Sequence, residues 1–412
     1  MQVRLAFRIC IFLTATYSIA SYQILDKVDV FVSVNGDNFP QGYTEYPPCY
    51  RQPVLYSRKG TILAFATGRN KTGTSPSLCS DPGDGSPNYI VLKKSFDGGS
   101  TFGKLKILYG GNGTSQPDFY VVYYDTHKDV LHVVFETPMG VFDMRSNDMG
   151  ETWTSPVAMV INNEDFERVS PSVGKGVNVR VSTSVGDTVD SVLLPFICTS
   201  KKKADKMGRN RSQHLIGGDK GVCPACHSCL LHPLKPTVPS SPWVVGARTS
   251  THGRESQIVQ YNSSITQQHG VSSTTIFSTQ RNMGSQPGHR LEAWSYDFGS
   301  TYTNERVSVV PEPATANWTG IKAGLSALAG RDGNVLLYQS HPNSTTERKD
   351  LVLSISRDMG KSWEVGALKI YEGLAGYSDM TTINDTQIGI LFENGVHGYA
   401  DVISLTKVEV DT

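Results

Sequence analysis

The stretch SFDGGSTF at residues 95–102 recurs, with the same spacing of Ser, Asp, Gly and a final aromatic residue, as SNDMGETW, SYDFGSTY and SRDMGKSW. These three copies begin at residues 146, 295 and 356. In each octet the Asp can accept backbone N–H bonds, the Gly can adopt positive φ, and the aromatic ring can pack beneath the turn. The pattern therefore predicts a stapled β-hairpin turn and not a catalytic motif.

The spacing of the octets predicts the architecture. Their first residues, 95, 146, 295 and 356, are 51, 149 and 61 residues apart, and the wide middle interval has room for more than one repeat. A strand-like run and a Pro-rich segment leading to Trp243, over residues 230–243, are typical of a degenerate copy. Repeats of about 50 residues built from short strands are typical of a β-propeller. Strand-like runs bounded by turn residues occur at 88–94, 130–136, 191–198, 273–279, 335–340, 350–356 and 387–392.

Composition agrees with an all-β fold and disfavours two classes of binding partner. The 412 residues are 38% hydrophobic and include 39 Gly and 21 Pro, which favours a large core with many turns over disorder or long helices. Lys and Arg together number 38, as do Asp and Glu, so there is no formal net charge. Nucleic acid and acidic membrane surfaces are therefore disfavoured as main partners.

The N-terminus is typical of a secretory leader. Arg4 and Arg8 precede an apolar run over residues 9–20, which ends in a small-x-small pattern suited to signal peptidase. We expect a signal peptide at 1–20 and a single domain at 21–412, in a secreted or lysosomal protein without stable membrane insertion. An uncleaved signal anchor is the alternative. Seven N-glycosylation sequons fit this expectation, at Asn70, Asn112, Asn210, Asn262, Asn317, Asn343 and Asn384.

The octets resemble the Asp boxes of the sialidase (neuraminidase) superfamily, and the resemblance extends from about Tyr50 to the C-terminal strands. It implies a six-bladed β-propeller. It also implies three arginines that bind the carboxylate on the anomeric carbon of sialic acid, because guanidinium groups match a carboxylate with two parallel hydrogen bonds. The segment YRQP places the first at Arg51, FSTQRN places the second at Arg281, and the position eight residues before the last octet gives Arg348.

The resemblance also implies two residues that support the three arginines. Glu393, in LFENG, is similar to the carboxylate that orients the first arginine. Arg69, in LAFATGR, follows a strand similar to the family's, although Thr67 replaces the usual Glu. Arg69 is expected to line the site or to support the loop that carries the acid.

The resemblance also identifies the reacting groups. Asp84 resembles the acid that protonates the leaving oxygen, with Asp81 as the competing candidate. Tyr377, in GYS, resembles the nucleophile, and Glu255, in RESQ, resembles the base that takes its proton. A neutral Tyr suits this task because a carboxylate nucleophile would be repelled by the carboxylate of the substrate.

These residues together imply a retaining exo-α-sialidase. It would act on glycoproteins, glycolipids and oligosaccharides through a tyrosyl intermediate, without a cofactor or a metal. A trans-sialidase has the same constellation, and a catalytically inactive propeller that binds sialic acid as a lectin is the alternative from another class. The sequence does not predict the oligomeric state.

The cysteines predict disulfide bridges, and the region around three of them predicts a loop. Cys10 lies in the leader, and six cysteines remain, at Cys49, Cys79, Cys198, Cys223, Cys226 and Cys229. In a secreted chain disulfide bridges are expected, with Cys49 and Cys79 as a candidate pair, and zinc at the clustered Cys223, Cys226 and Cys229 is the alternative. Residues 199–241, which contain this cluster, are predicted to form a long surface loop.

Overall fold

In a computed structural model of the chain, the structure describes residues 22–33, 49–69, 88–110, 117, 119–182, 188–201, 225–238, 241–250, 252–262, 274–284, 288–314, 319–330 and 334–410. All regular secondary structure in these ranges is β-strand, so the all-β prediction is confirmed. The same ranges contain no helix long and apolar enough to cross a membrane.

The described strands form five sheets. The first contains β2 Cys49–Arg58, β3 Thr61–Arg69, β4 Asn88–Ser95 and β5 Lys106–Gly110. The second contains β6 Tyr120–Asp125, β7 Val130–Thr137, β8 Gly140–Ser146, β9 Val157–Ala158 and β12 Gly174–Lys175. The third contains β10 Ile161–Asn162, β11 Phe166–Pro171, β13 Val177–Ser182, β14 Thr188–Ser200, β15 Cys226–Pro233 and β16 Trp243–Arg248. The fourth contains β17 Gly253–Asn262, β18 Thr274–Asn282, β19 His289–Ser295 and β20 Thr303–Pro311.

The fifth sheet has seven strands and joins the two ends of the described chain. Its strands are β1 Tyr22–Val32, β21 Gly324–Ala329, β22 Val335–Pro342, β23 Lys349–Ser356, β24 Glu364–Asn384, β25 Gln387–Gly395 and β26 Val402–Val410. β24 is 21 residues long, and its first part pairs with β23 while its second part pairs with β25. β1 pairs antiparallel with β26, from Tyr22 opposite Val410 to Val32 opposite Val402.

The sheets close into a ring. Buried apolar clusters connect the first sheet to the second, the second to the third, the third to the fourth, the fourth to the fifth, and the fifth back to the first. Phe65 and Phe135 illustrate the first of these contacts, and Leu391 and Leu55 the last. This closure is that of a β-propeller. Six separate sheets, as six blades would give, are not found in the described ranges, because β24 runs without a break between two groups of strands.

The four octets form the predicted hairpin staples, each between the last two strands of a four-stranded unit: β4 and β5, β8 and β9, β19 and β20, and β23 and β24. In the third, the Ser295 hydroxyl donates to Asp297 (2.8 Å) and accepts the Gly299 N–H (2.9 Å). Asp297 also accepts the N–H of Thr301 at 2.9 Å. Phe298 and Gly299 have φ values of 56° and 81°, so the turn requires two successive left-handed residues.

One predicted loop is wrong. Residues 199–241 contain β15, a central strand whose Cys229, Leu230 and Leu231 are fully buried. The Gly, Pro and Lys residues that indicated a loop lie on either side of this strand. The predicted strand runs all coincide with observed strands, and Trp243 begins the strand after β15, as the degenerate copy requires.

A disulfide joins Cys198 on β14 to Cys229 on β15, so Cys229 offers no thiolate and the zinc hypothesis is wrong for this residue. Cys49 and Cys226 are also disulfide-bonded. The predicted partner Cys79 and the clustered Cys223 lie outside the described residues.

Several other predictions fall on residues outside the described ranges. They concern the signal peptide at 1–20, the acid Asp84 with its competitor Asp81, and the sequons at Asn70, Asn112, Asn210 and Asn317. The sequon asparagines Asn343 and Asn384 are described and exposed.

Candidate active site

Three of the predicted site residues lie at irregularities in strands that approach the centre of the ring. The pairing register shifts between Arg51 and Val54 on β2, between Arg254 and Gln257 on β17, and between Ala375 and Ser378 on β24. Glu255, inside the second irregularity, has φ of 43°, which is uncommon for a residue with a side chain. Bulges of this kind turn a side chain out of the regular alternation of a strand. Glu255 and Tyr377 are placed in this way, and Arg51 forms the last regular pair before the irregularity on β2.

Tyr377 and Glu255 are directly hydrogen-bonded. The Tyr377 hydroxyl donates to one Glu255 carboxylate oxygen at 2.9 Å, and Arg281 donates from Nη1 to the other at 3.0 Å. The same Nη1 lies 3.0 Å from the Tyr377 hydroxyl oxygen. Arg281 is further fixed by its Nε, which donates to the carbonyl of Thr319 at 2.6 Å. Residues 122 positions apart in sequence are thus held within one buried hydrogen-bonded group.

Burial and neighbouring charges leave Glu255 ionised and Tyr377 neutral. Burial disfavours ionisation of Glu255, but the positive charges of Arg281 and Arg254 outweigh it, and the pKa of Glu255 is lowered. Burial, reinforced by the negative charge of Glu255, raises the pKa of Tyr377 to about 12. At neutral pH the pair is therefore a neutral phenol hydrogen-bonded to a carboxylate. Such a pair can transfer the phenolic proton as the oxygen attacks an electrophile.

The structure brings Arg51 and Glu393 together. Arg51 Nε donates to Glu393 Oε1 at 2.8 Å, and the same carboxylate accepts the backbone N–H groups of Gln52 and Tyr377 at 2.8 Å and 3.0 Å. Burial alone would lower the pKa of Arg51, but the charge of Glu393 prevails and the pKa is raised. Gly376 has no room for a side chain, because a Cβ there would lie 2.3 Å from Glu393 Oε2. Glu393 therefore fixes both the guanidinium group of Arg51 and the backbone of Tyr377.

Arg348 completes the group of three arginines. Its guanidinium carbon lies 5.6 Å from the ring centre of Tyr377, and that of Arg51 lies 5.5 Å from the same ring. All three predicted arginines therefore surround Tyr377, although they come from positions 51, 281 and 348. Together with Glu255 and Glu393, these three guanidinium groups leave a net positive charge, which suits an anionic ligand.

Arg69 is buried at the end of β3, opposite Cys49. Two residues earlier on that strand, Thr67 pairs with Arg51, and its hydroxyl donates to the side chain of Gln52 at 2.7 Å. The predicted assignment of Arg69 to the site stays a prediction, as does that of Asp84.

Sequence reasoning missed Tyr399, whose ring lies 5.1 Å from the guanidinium carbon of Arg51 and 4.7 Å from that of Arg348. Tyr399 follows β25 in the segment 395–401, which has no motif. Only its distance of six residues from Glu393 is a usable signal, because it places Tyr399 on the hairpin that carries Glu393.

A buried ion pair behind Arg281 was also missed. Arg290 donates from Nη1 to Glu312 at 3.0 Å, and both side chains are fully buried. Glu312 also accepts the backbone N–H of Asn282 at 2.6 Å and of Ile321 at 3.3 Å. A Cβ on Gly320 would lie 2.6 Å from Arg281 and 2.8 Å from Glu312, so a glycine separates the arginine from this carboxylate. Neither Arg290 nor Glu312 lies in a recognisable motif.

A metal site is not evident in the described part of the chain, where no three His, Cys, Asp or Glu side chains are placed to hold an ion. The arrangement instead offers three guanidinium groups, a neutral phenol and a carboxylate that can act as its base.

Known proteins are similar to this chain in sequence. Residues 222–390 match the family described as BNR repeat-like domain. The sialidase of Bacteroides fragilis (strain YCH46) is 25% identical over 388 residues, which cover 84% of this chain and 60% of that protein. The sialidase of Micromonospora viridifaciens is 23% identical over 376 residues, covering 84% of this chain and 50% of that protein. The chain is thus similar to sialidases over most of its length and carries a BNR repeat-like domain.

Solved structures of sialidases show the same fold. The Hadza microbial sialidase Hz136 has a TM-score of 0.62 at 18% identity, over 88% of this chain and 66% of that one. The Trypanosoma rangeli sialidase in complex with sialic acid has a TM-score of 0.61 at 16% identity, over 93% of this chain and 58% of that one. The propeller seen here is thus the sialidase type. The chain spans only 60% and 50% of the lengths of the two curated relatives.

Proposed function

We propose that the chain is a retaining exo-α-sialidase that hydrolyses terminal α-linked sialic acid from glycoproteins, glycolipids and oligosaccharides. The observation that carries this proposal is the Tyr377 hydroxyl, held between Glu255 at 2.9 Å and Arg281 at 3.0 Å. A lectin needs arginines to hold a carboxylate, but it does not need a buried phenol beside an ionised base.

Substrate binding follows from the charges. The sugar's carboxylate would be held by the guanidinium groups of Arg51, Arg281 and Arg348, because charge-assisted N–H bonds to a carboxylate are short and strong. Because all three surround Tyr377, a carboxylate bound to them would bring the adjacent anomeric carbon close to the phenolic oxygen. Positioning of this kind supplies much of the rate enhancement in enzymes.

The chemistry proceeds in two displacements. The Tyr377 oxygen forms a bond to the anomeric carbon, Glu255 takes the phenolic proton, and the bond to the leaving oxygen breaks. An acid donates the proton that this leaving oxygen acquires, and Asp84 is our candidate for that acid. In the second step a water molecule attacks the same carbon and passes a proton to the carboxylate that acted as acid. The tyrosyl bond breaks, and the Tyr377 oxygen regains its proton from Glu255. Two inversions give net retention.

The same proposal includes the architecture and the cellular location. We infer six blades, since the two halves of the seven-stranded sheet, divided at β24, pack on one another through an apolar cluster that contains Tyr338, Leu353, Ile390 and Phe392.

We also propose the signal peptide at 1–20, a single domain at 21–412, and a secreted or lysosomal location. The catalysis needs no organic cofactor and no metal.

The test is to follow hydrolysis of an α-linked sialyllactose by proton NMR with the purified full chain. The α-anomer of free sialic acid should form first. Initial release of the β-anomer would exclude a tyrosyl intermediate, and binding without any release would favour the lectin. Adding a galactoside acceptor separates the remaining alternative, because a trans-sialidase would form a new sialoside in preference to free sugar.

A further inference from the structure

Two of the three arginines share a second aromatic ring that plays no part in the chemistry above. The guanidinium carbons of Arg51 and Arg348 lie 5.1 Å and 4.7 Å from the ring centre of Tyr399, both within the range of a cation–π interaction. We propose that Tyr399 is a positioning residue, which holds these two guanidinium groups ready to bind the carboxylate of the substrate. This inference rests on the proposed function.

The surroundings of Tyr399 hold its ring in place. It packs against Cys49 and Ala400, which are buried. A Cβ on Gly376 would lie 2.9 Å from Tyr399 Cδ2, so the neighbour of Tyr377 must be a glycine for the ring to fit. The loop that carries Tyr399 is closed by Asp401, whose carboxylate accepts the N–H groups of His397 at 2.8 Å and Gly398 at 2.9 Å. Tyr399 therefore has little freedom to move away from the arginines.

An aromatic ring suits this position better than another acid. Arg51 already has Glu393 as its counterion, and a further carboxylate beside it would reduce the positive field that attracts an anionic substrate. The face of a ring attracts a guanidinium group without adding a negative charge, and it leaves the N–H edges available for bidentate hydrogen bonds. Tyr399 thus orients the cations while the pocket keeps its net charge.

The test compares Tyr399→Phe, which keeps the ring face, with Tyr399→Leu, which removes it. The probes are 2-deoxy-2,3-dehydro-N-acetylneuraminic acid and its methyl ester, measured by calorimetry on the full chain. We expect Tyr399→Phe to bind the acid like the wild type, within about twofold, and Tyr399→Leu to bind it about tenfold more weakly. The uncharged ester should bind both variants equally, because it lacks the anion that the arginines recognise.

Tyr124→Leu is the matched control, since it removes a ring that holds Arg58 at 4.0 Å in a different part of the propeller. It should leave the affinity for the acid unchanged. The inference is overturned if Tyr399→Leu binds the acid as the wild type does, if it loses acid and ester equally, or if Tyr399→Phe loses as much as the Leu variant. Should Tyr399→Leu fail to fold, Tyr399→Met provides the ring-free comparison.

A second measurement is independent of sialic acid. In crystal structures without ligand, the guanidinium group of Arg348 should move by more than about 1 Å in the ring-free variant and stay in place in Tyr399→Phe. An unmoved Arg348 would overturn the positioning role. If instead the wild type binds neither probe while Arg348 moves as expected, the proposed sialidase function fails and the positioning role stands.

Discussion

The octet turns and the central site are both built from hydrogen bonds to carboxylates, yet they are assembled over very different distances along the chain. In the turn at Asp297 every partner lies within four residues. At the centre, Arg51 and Glu393 are 342 residues apart, and Tyr377 and Glu255 are 122 apart. The turns can therefore form locally, whereas the site forms only when the ring closes. Damage to a turn should reduce stability, and damage to the site should reduce activity.

Tyr377→Phe should give the largest effect, on activity and not on stability. It removes only the attacking oxygen, so turnover should fall by on the order of 10³-fold or more while the unfolding temperature changes little. Tyr261→Phe is the control, because it removes another largely buried hydroxyl, which donates to the Met359 carbonyl at 3.1 Å away from the site. The control should keep full turnover. Equal turnover in the two variants would exclude Tyr377 as the nucleophile.

The second prediction concerns the free energy of unfolding at acid pH, which the buried His341 should lower. Burial lowers the pKa of His341 to about 4, against 6.5 in the unfolded chain. The unfolded chain therefore binds more protons between these values, so stability should fall as the pH drops from 6.5 to 4, by up to about 3 kcal/mol. His341→Gln should flatten this part of the curve of unfolding free energy against pH. An unchanged slope in the variant would assign the acid sensitivity to another group.

Arg348→Lys should give the third effect, on substrate binding. An ammonium group cannot form the two parallel bonds of a guanidinium group, so KM should rise about 10- to 100-fold with a smaller change in kcat. Steady-state kinetics with a sialoside would show this. Arg306→Lys is the control, since Arg306 pairs with Glu292 at 2.8 Å in the fourth sheet and should keep normal kinetics. A normal KM in Arg348→Lys would remove this arginine from the site.

Asp297→Asn should give the smallest effect, and on stability alone. Burial opposes ionisation of Asp297, but the hydrogen bonds from Thr301 and Ser295 prevail and lower its pKa. Its ionised form therefore adds stability above about pH 4, and that stability is lost as the pH falls below this value. We expect a loss of about 1 kcal/mol at pH 7, after allowing for the partial exposure of the turn, with turnover unchanged. Exposed Asp385→Asn, in another turn, should change neither.

Contacts between sequence neighbours could be predicted from the sequence, whereas contacts between distant residues could not. The octets were predictable because the Ser, Asp and Gly that bond to each other are neighbours. Tyr399 and Glu312 were not, since each acquires its role only through contacts made after the sheets pack. The loop prediction for residues 199–241 failed because Gly, Pro and clustered cysteines flank β15 and outweighed its short apolar run. The resemblance to sialidases supplied the arginines, Tyr377 and Glu255, which composition and spacing alone would not have selected.

The pairing of β1 with β26 has a consequence for how the protein is made. During translation β1 leaves the ribosome early, while its partner, beginning at Val402, is still to be synthesised. At about 5–20 residues per second, the nascent chain carries this unpaired edge for on the order of tens of seconds. Tyr377 and Glu393 also emerge long after Arg51, so the central site stays incomplete until both have been synthesised. We expect the nascent protein to depend on chaperones that shield the open edge of β1 until β26 pairs with it.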